Sequence, residues 1–265
     1  MLLRLAQHAA AALVLVVMTG CATTAAPGAP VNDPFEGWNR KVFAFNDKVD
    51  TAVLKPVAET YRDTVPKLVR TGVDNVLGNI NDVWSTANHF LQGKFQTGLE
   101  MGMRVLTNTL FGLGGLLDPA TEMGLTRRSE DFGQTLGKWG FGNGPYLVLP
   151  FLGPSTVRDT FGLVADRQVA PSTLPDTSTG RYSVAALELI NTRTNLLQAG
   201  ALVDQVALDR YAFIRDAYLS RRRDALYDGA PPIDSFDDEP ADAAPAPAGA
   251  ASAPQPAASA ASAAK

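Results

Sequence analysis

Apolar residues recur along this chain at the spacing of one helix face. Between Pro66 and Gly93 they fall at Val73, Val76, Leu77, Ile80, Val83, Trp84, Ala87 and Leu91, three and four positions apart, which is the period of an amphipathic helix. Pro66 stands where a first turn tolerates proline, and Gly93 where a helix commonly stops. The same pattern predicts a helix over Pro34–Val49, with Phe35, Trp38, Val42 and Phe45 on one stripe. Another runs from about Phe95 to Phe111, stopped by Gly112, Gly114 and Gly115. Two more are expected over roughly Val184–Ala199 and Val203–Leu226. The last carries Val206, Ala207, Ile214, Ala217 and Tyr218 on one side, with Gly229 beyond its end. Convincing period-2 alternation is absent, so the predicted class is all-α.

The polar side of the Pro66–Gly93 helix departs from an ordinary soluble bundle. It carries Asn75, Asn79, Asp82, Thr86 and Asn88, and Thr71–His89 contains only Asp74 and Asp82 as charges. A polar but nearly uncharged face suits a water-filled channel or a buried hydrogen-bond network at membrane depth, where full charges are expensive. An Asn-rich face in plain water is the other reading. Two long charge-free stretches add to the membrane side. Val105–Leu117 lies between Arg104 and Asp118 and suits an embedded segment or a simple core helix. Trp139–Val157 has the length of a spanning helix, yet Gly140, Gly142, Gly144, Pro145, Pro150, Gly153 and Pro154 forbid one. Irregular backbone at membrane depth requires cover by protein or by an aqueous cavity. The segment therefore either packs as a buried connector or lines a passage. Glycine pairs at Gly98/Gly102, Gly133/Gly137 and Gly140/Gly144 permit close helix approach.

The chain opens with Arg4, an apolar run from Ala9 to Met18, and then Thr19-Gly20-Cys21. A basic region, a short apolar region and small residues before a cysteine form a bacterial lipoprotein signal, cut between Gly20 and Cys21. The run is too short to span a bilayer comfortably. Cys21 is the one cysteine in 265 residues, so it has no intramolecular disulfide partner and suits acylation. Each buried acyl methylene contributes about 0.8 kcal/mol, and several chains together make attachment effectively permanent. By the usual sorting rule Asp after the lipidated cysteine retains a protein at the inner membrane, and Ala22 favours the outer one. Composition then divides the chain into four parts: the signal at 1–20, a tether at 21–32, a folded body at 33–228, and a tail at 229–265. That tail is acidic, then rich in Ala, Pro and Ser, and is expected to be disordered.

Hydrophobic residues make up 46% and charged residues 19%, and the net charge of −4 gives no support to nucleic-acid binding. After signal removal His89 is the remaining histidine, which with one acylated cysteine excludes the common zinc sites. No metal or cofactor is expected. Gly140-Phe-Gly-Asn-Gly144 has no strand before it and fails the dinucleotide fingerprint. Gly153-Pro-Ser155-Thr-Val157 begins like a nucleophile elbow but lacks the final glycine, and His89 would have to be its base. A hydrolase is therefore disfavoured. Arg221-Arg222-Arg223 reads by default as cations near a helix C-terminus, with anionic headgroups as the sharper alternative. Arg158-Asp159 reads as a helix-start pair.

Several motifs together carry a family resemblance. Asp33-Pro-Phe-Glu-Gly-Trp-Asn-Arg40 is followed by Phe45-Asn46, Lys55-Pro56-Val57 and Arg62-Asp63-Thr64-Val65-Pro66. Further on come Phe90-Leu-Gln-Gly93, Arg104 with Asn108-Thr109, Gly112-Leu-Gly-Gly-Leu-Leu-Asp118 and Phe132-Gly-Gln-Thr-Leu-Gly137. Gly142-Asn-Gly-Pro-Tyr-Leu-Val-Leu-Pro-Phe-Leu-Gly153 and Arg158-Asp159 complete the set. The chain resembles the MlaA (VacJ) outer-membrane lipoproteins from the signal through about Tyr227, and the tail lies outside the likeness.

The resemblance implies a ring-shaped bundle of amphipathic helices embedded in the outer membrane around a central channel. It implies a lipid-anchored protein facing the periplasm that removes phospholipids mislocalised to the outer leaflet. Such a protein passes them to a soluble periplasmic carrier, MlaC, associates with a trimeric porin, and has no catalytic residues. Within that frame Asn75, Asn79, Asp82 and Thr86 are the candidate polar channel face. Gly142, Gly144, Pro145, Tyr146, Pro150 and Phe151 are the candidate lipid channel or hinge. A bulky charge at Tyr146 is expected to impair passage without unfolding the protein. Phe45-Asn46 occupies a sensitive segment of the N-terminal helix, although Ala44 and Asp47 depart from the pattern. The competing function is a scaffold that tethers partners to the outer membrane without moving lipid.

Overall fold

Asp33 and Pro34 lead straight into the first helix of a computed structural model that describes residues 33–232. The signal, the tether with Cys21 and the tail from Ile233 onward lie outside the described residues. Helix α1 spans Glu36–Val49, with Glu36 in its first turn and Lys48 in its last, both complementing the helix dipole. A π-helical turn, Asp50–Leu54, carries the chain into α2, Lys55–Thr64, with Pro56 in the first turn where its missing N–H costs nothing. Val65 is extended, as the residue before a proline prefers. It sets off α3, Lys67–Leu91, a 25-residue helix about 37 Å long at 1.5 Å per residue.

Gly93 takes a φ of 75° and the chain folds back as α4, Phe95–Leu110. The two helices run antiparallel, since Asn79 meets Thr109, Asp82 meets Arg104, and His89 meets Thr97. An apolar turn then leads to the short α5, Pro119–Glu122, capped by Asp118, and to α6, Phe132–Lys138, capped by Asp131. Strands β1, Tyr146–Leu149, and β2, Gly153–Thr156, form an antiparallel hairpin pairing Tyr146 with Thr156 and Leu149 with Gly153. Thr156 accepts from the Asp159 N–H and caps α7, Val157–Arg167. A 3₁₀ turn at Pro171–Thr173 precedes α8, Ser178–Asn195, then α9, Leu197–Val206, and α10, Arg210–Leu226.

Among the described residues the all-α reading holds, with the four-residue hairpin strands as the departure. The glycines and prolines of Trp139–Val157 place that segment in a strand, a turn and a strand. Two helix assignments need correction. The stretch expected as helices at 184–199 and 203–226 forms three, and the break falls at Ala207–Asp209. Ala207 is extended, and Asp209 turns its carboxylate onto the Ala212 N–H to start a new helix. Val206 consequently lies exposed on α9, while Tyr211 and Tyr218 turn α10 inward.

The helix pair α3–α4 is inverted. On α3 the buried positions are Gly72, Asn79, Asp82, Ser85, Asn88 and His89. On α4 they are Gly98, Met101, Arg104, Thr107 and Asn108. Along α4 the apolar residues face outward, with Phe95, Leu99, Met103, Leu106 and Leu110 exposed, as are Leu68, Val69, Val83, Phe90 and Leu91 on α3. Among the described residues the buried set holds 8 hydrophobic and 19 polar or charged side chains, which reverses the usual order of a domain folded in water. An apolar cluster remains where Val42 of α1, Tyr146 and Val148 of the hairpin and Tyr211 of α10 meet. Tyr146 packs edge-on to Tyr211 at 6.3 Å and tilted to Tyr218 at 6.2 Å.

Candidate functional site

Two asparagines on α1, seven residues and therefore two turns apart, grip the free edge of the hairpin. Asn39 Nδ2 donates to the Tyr146 carbonyl at 3.0 Å, and its Oδ1 accepts from the Val148 N–H at 2.9 Å. Asn46 repeats the arrangement further along, donating to the Leu149 carbonyl at 2.9 Å and accepting from the Phe151 N–H at 2.8 Å. A side-chain amide carries one donor and one acceptor side by side, as a neighbouring strand would, so the helix satisfies a strand edge. Phe151 has a φ of 62°, an uncommon conformation for a large side chain. The Asn46 bond and the Phe45–Phe151 ring contact at 5.2 Å hold it there. Phe45 and Asn46 thus meet Pro150 and Phe151 in one place. The sequence motif assigns Asn39 no role, and its position two helical turns before Asn46 is the signal that could have marked it.

Removing these amides separates buried from half-buried bonding. Asn39→Ala leaves a buried carbonyl and N–H unpaired and should cost about 2–3 kcal/mol, whereas Asn46→Ala, nearer solvent, should cost about 1 kcal/mol. Hydrogen exchange at Val148 and Phe151 reads each loss separately. Equal protection of Val148 in both variants would remove the clamp from consideration.

The remaining connector residues divide. Gly142 is exposed with open space around it, and Gly144, at a φ of 66°, lies 3.1 Å by its Cβ direction from Val157. The Pro145 carbonyl accepts the Val157 N–H at 3.2 Å, and Pro150 is exposed. Tyr146 is 2% exposed inside the aromatic cluster, which corrects the expectation for a charge there. Tyr146→Lys should unfold the hairpin, because a buried unpaired charge is among the costliest substitutions. Tyr146→Phe should melt within a degree or two of the parent, since the hydroxyl is buried without a hydrogen-bond partner. A large drop for the phenylalanine variant would contradict that placement.

The candidate polar face lies against protein at its centre. Asn79 and Asp82 are buried, while Asn75 and Thr86 are half-buried. Asn79 donates to the Thr109 hydroxyl at 3.0 Å, Asn75 donates to the Leu116 carbonyl at 3.0 Å, and Thr86 donates to the Asp82 carbonyl at 2.7 Å. Of the three readings of this face, the hydrogen-bond network describes Asn79 and Asp82, which corrects their assignment to an open channel wall. The reason is Arg104 on α4, 1% exposed. Its guanidinium reaches Asp82 at 3.4 Å, the Thr121 hydroxyl at 2.9 Å, the Leu125 carbonyl at 2.6 Å and Asp118 at 2.5 Å. Arg127 joins Asp82 from the other side at 3.0 Å, lying over Gly78, where a Cβ would stand 2.6 Å from it. This network carries the turn whose Leu110, Phe111 and Leu113 are exposed, so Val105–Leu117 is not a core helix.

A second charged cluster joins α6, α7 and α10. Arg222 bonds both oxygens of Asp131 and both of Asp159, with Arg158 and Tyr218 also on Asp159. Arg222 therefore faces inward, unlike a helix-terminal cation in solvent. Burial alone raises Asp131 and Asp159, but Arg222 outweighs it and holds both carboxyls below the ordinary range. Their contribution to stability is present above the ordinary carboxylate pKa and is lost as pH falls through the lowered values. His89 bonds the Arg128 carbonyl at 3.0 Å and the Thr97 hydroxyl at 3.1 Å, while Ser155 bonds Thr156 and Thr160. The two groups a hydrolase would need do not partner each other.

The comparisons cover these same parts. A family model described as MlaA lipoprotein matches residues 31–225. The intermembrane phospholipid transport system lipoprotein MlaA of Escherichia coli (strain K12) is 38% identical over 219 residues, 80% of this chain and 85% of that one. Its Haemophilus influenzae counterpart is 30% identical over 233 residues, covering 83% and 90%. A solved structure described as "Structural basis for maintenance of bacterial outer membrane lipid asymmetry" matches with a TM-score of 0.65 at 37% identity, over 73% of this chain and 98% of that one. With the inverted helix pair and the clamped hairpin both inside the matched span, the chain belongs to the MlaA lipoprotein family.

Proposed function

We propose that this chain is an outer-membrane lipoprotein that withdraws phospholipids mislocalised to the outer leaflet through an amphipathic channel. It delivers them to a soluble periplasmic carrier of the MlaC kind, maintains lipid asymmetry, and works beside a trimeric porin. The observation that carries this reading is the inversion of α3 and α4. A water-facing stripe of Phe95, Leu99, Met103, Leu106 and Leu110 forgoes about 1.5–3 kcal/mol for each side chain that a nonpolar environment would cover. A bilayer removes that cost. Among the described residues no helix is long and apolar enough to cross a membrane, so the fitting arrangement is a ring-shaped bundle of amphipathic helices with apolar faces toward lipid. Of the polar face the half-buried Asn75 and Thr86 remain for the headgroup route, and acylated Cys21 supplies the anchor. The relatives' names as phospholipid-transport lipoproteins support transport over tethering alone.

A deletion strain should expose phospholipid on the cell surface, with asymmetry restored by the full chain. Protein purified in mild detergent should carry phospholipid. Unchanged asymmetry together with lipid-free protein would leave scaffolding as the function, and released fatty acid would point to a hydrolase.

A further inference from the structure

The surface of α1 changes character around the helix axis. At about 100° per residue, Asn39, Val42 and Asn46 mark the side that packs on the hairpin and α10. Trp38 and Phe45, 62% and 46% exposed, stand on one flank of that side. The opposite flank is closed by ion pairs. Arg40 bonds Glu36 and Asp209, and Arg210 bonds Asp47 and Asp204, so four carboxylates share two guanidinium groups. Lys41 and Lys48 project outward between the two flanks. Both are exposed, and among the described residues no ion pair holds either. They lie two turns apart, and no carboxylate stands one turn from either along the helix.

An aromatic flank, unpaired lysines and a net-acidic flank, in that order around one axis, suit a helix lying in a membrane interface. Aromatic rings settle at the headgroup boundary, lysine ammonium groups reach the phosphates, and surplus carboxylates face water. The stretch ahead of α1 fixes the leaflet. Asp33 follows Cys21 by twelve positions. Twelve residues make about 18 Å of helix, short of the roughly 30 Å hydrocarbon core, and an extended backbone is excluded from that core. The chain therefore enters α1 from the leaflet that holds the acyl anchor, on the periplasmic side. We propose that α1 lies in the headgroup layer of that leaflet, where Lys41 and Lys48 bind the phosphates of anionic phospholipids. The inference rests on the outer-membrane lipoprotein reading and adds to it the depth of one helix and the class of lipid gathered beside it. Each unpaired cation at that depth attracts an anionic headgroup, a preference that salt weakens.

The test uses the full acylated protein in liposomes of equal dioleoyl phosphatidylglycerol and dioleoyl phosphatidylcholine. Acylation blocks Cys21, so A44C supplies one free thiol for a bimane label, at an exposed position one turn from both lysines. A nitroxide close to the headgroup is carried first on the phosphatidylglycerol and then on the phosphatidylcholine. Quenching by the anionic lipid should exceed quenching by the zwitterionic lipid several-fold, and K41Q/K48Q should bring the two near parity. That double variant alters exposed, unpaired side chains and should melt with the parent. Equal quenching by both lipids before those substitutions would overturn the proposal, as would an anionic excess that survives them. Quenching by aqueous iodide alone would place α1 in water, and a label shielded from iodide and from both lipids would place it against a second copy. Either result equally overturns the assignment. Phospholipid carried by the purified protein and surface phospholipid in the deletion strain are separate readouts, so lipid transport stands or falls independently.

Discussion

Arg104→Met should deplete the protein from the outer membrane and drop its melting temperature in detergent by many degrees. The side chain is 1% exposed and serves four partners, Asp82, Asp118, the Thr121 hydroxyl and the Leu125 carbonyl. Removing one member of a buried ion pair typically costs about 3–5 kcal/mol, because the remaining charge stays in a low-dielectric place without compensation. A domain holds about 5–15 kcal/mol in all, so the loss takes much of the margin. Arg104→Lys keeps the charge but loses the planar fork that reaches Asp118, Thr121 and Leu125 together, so it should fall between parent and methionine. Pairing Arg104→Met with Asp118→Asn removes the stranded carboxylate, while the amide oxygen still accepts from the Thr121 N–H. That double variant should recover part of the loss, a coupling that a double-mutant cycle measures. Parent-like abundance and melting of the methionine variant would show that the network contributes nothing.

The helices were legible in the sequence where the apolar period was clean. Pro66 and Gly93 bracket α3, and Gly229, at a φ of 83°, follows the end of α10. The period also misled. It marks a face as apolar without saying which side that face meets: along α4 it faces outward, and on α3 Val83 and Leu91 are exposed while Val73, Val76, Leu77, Ile80 and Trp84 are half-buried. Asn79 and Asp82 could be placed on one stripe by counting, but their enclosure depends on Arg104 and Arg127, which are 22 and 45 positions from Asp82. Long-range pairs of that kind leave no local trace. The hairpin was hidden for a different reason. Its strands are four residues each, too short for alternation, and their free edge is satisfied by amides from residues more than 100 positions away. Phe45-Asn46 and Pro150-Phe151 were singled out separately, and only the fold joins them.

The glycines separate packing from passage. Gly162→Ala should be severely damaging, since its Cβ would stand 2.4 Å from the Gly133 N and 2.6 Å from the Gly133 Cα. Both are backbone atoms, so α6 and α7 must part. Overpacking costs about 1–3 kcal/mol before any bond is lost. Here the bond between the Asp166 carboxylate and the Phe132 N–H crosses the seam that must open, and Arg222 bridges it by holding Asp131 ahead of α6 and Asp159 on α7. Thermal unfolding in detergent should therefore begin many degrees lower, and lipid transport should fall in step with the folded fraction. Gly142→Ala provides the contrast. Nothing lies within 4 Å of its Cβ direction, and its φ lies outside the left-handed region, so the variant should melt with the parent. Because stability is unaffected there, surface phospholipid appearing in cells that carry Gly142→Ala would mark a local obstruction of lipid movement at the hairpin. If Gly162→Ala melts with the parent, the close approach of α6 and α7 is not the constraint described, and both glycines must be read again.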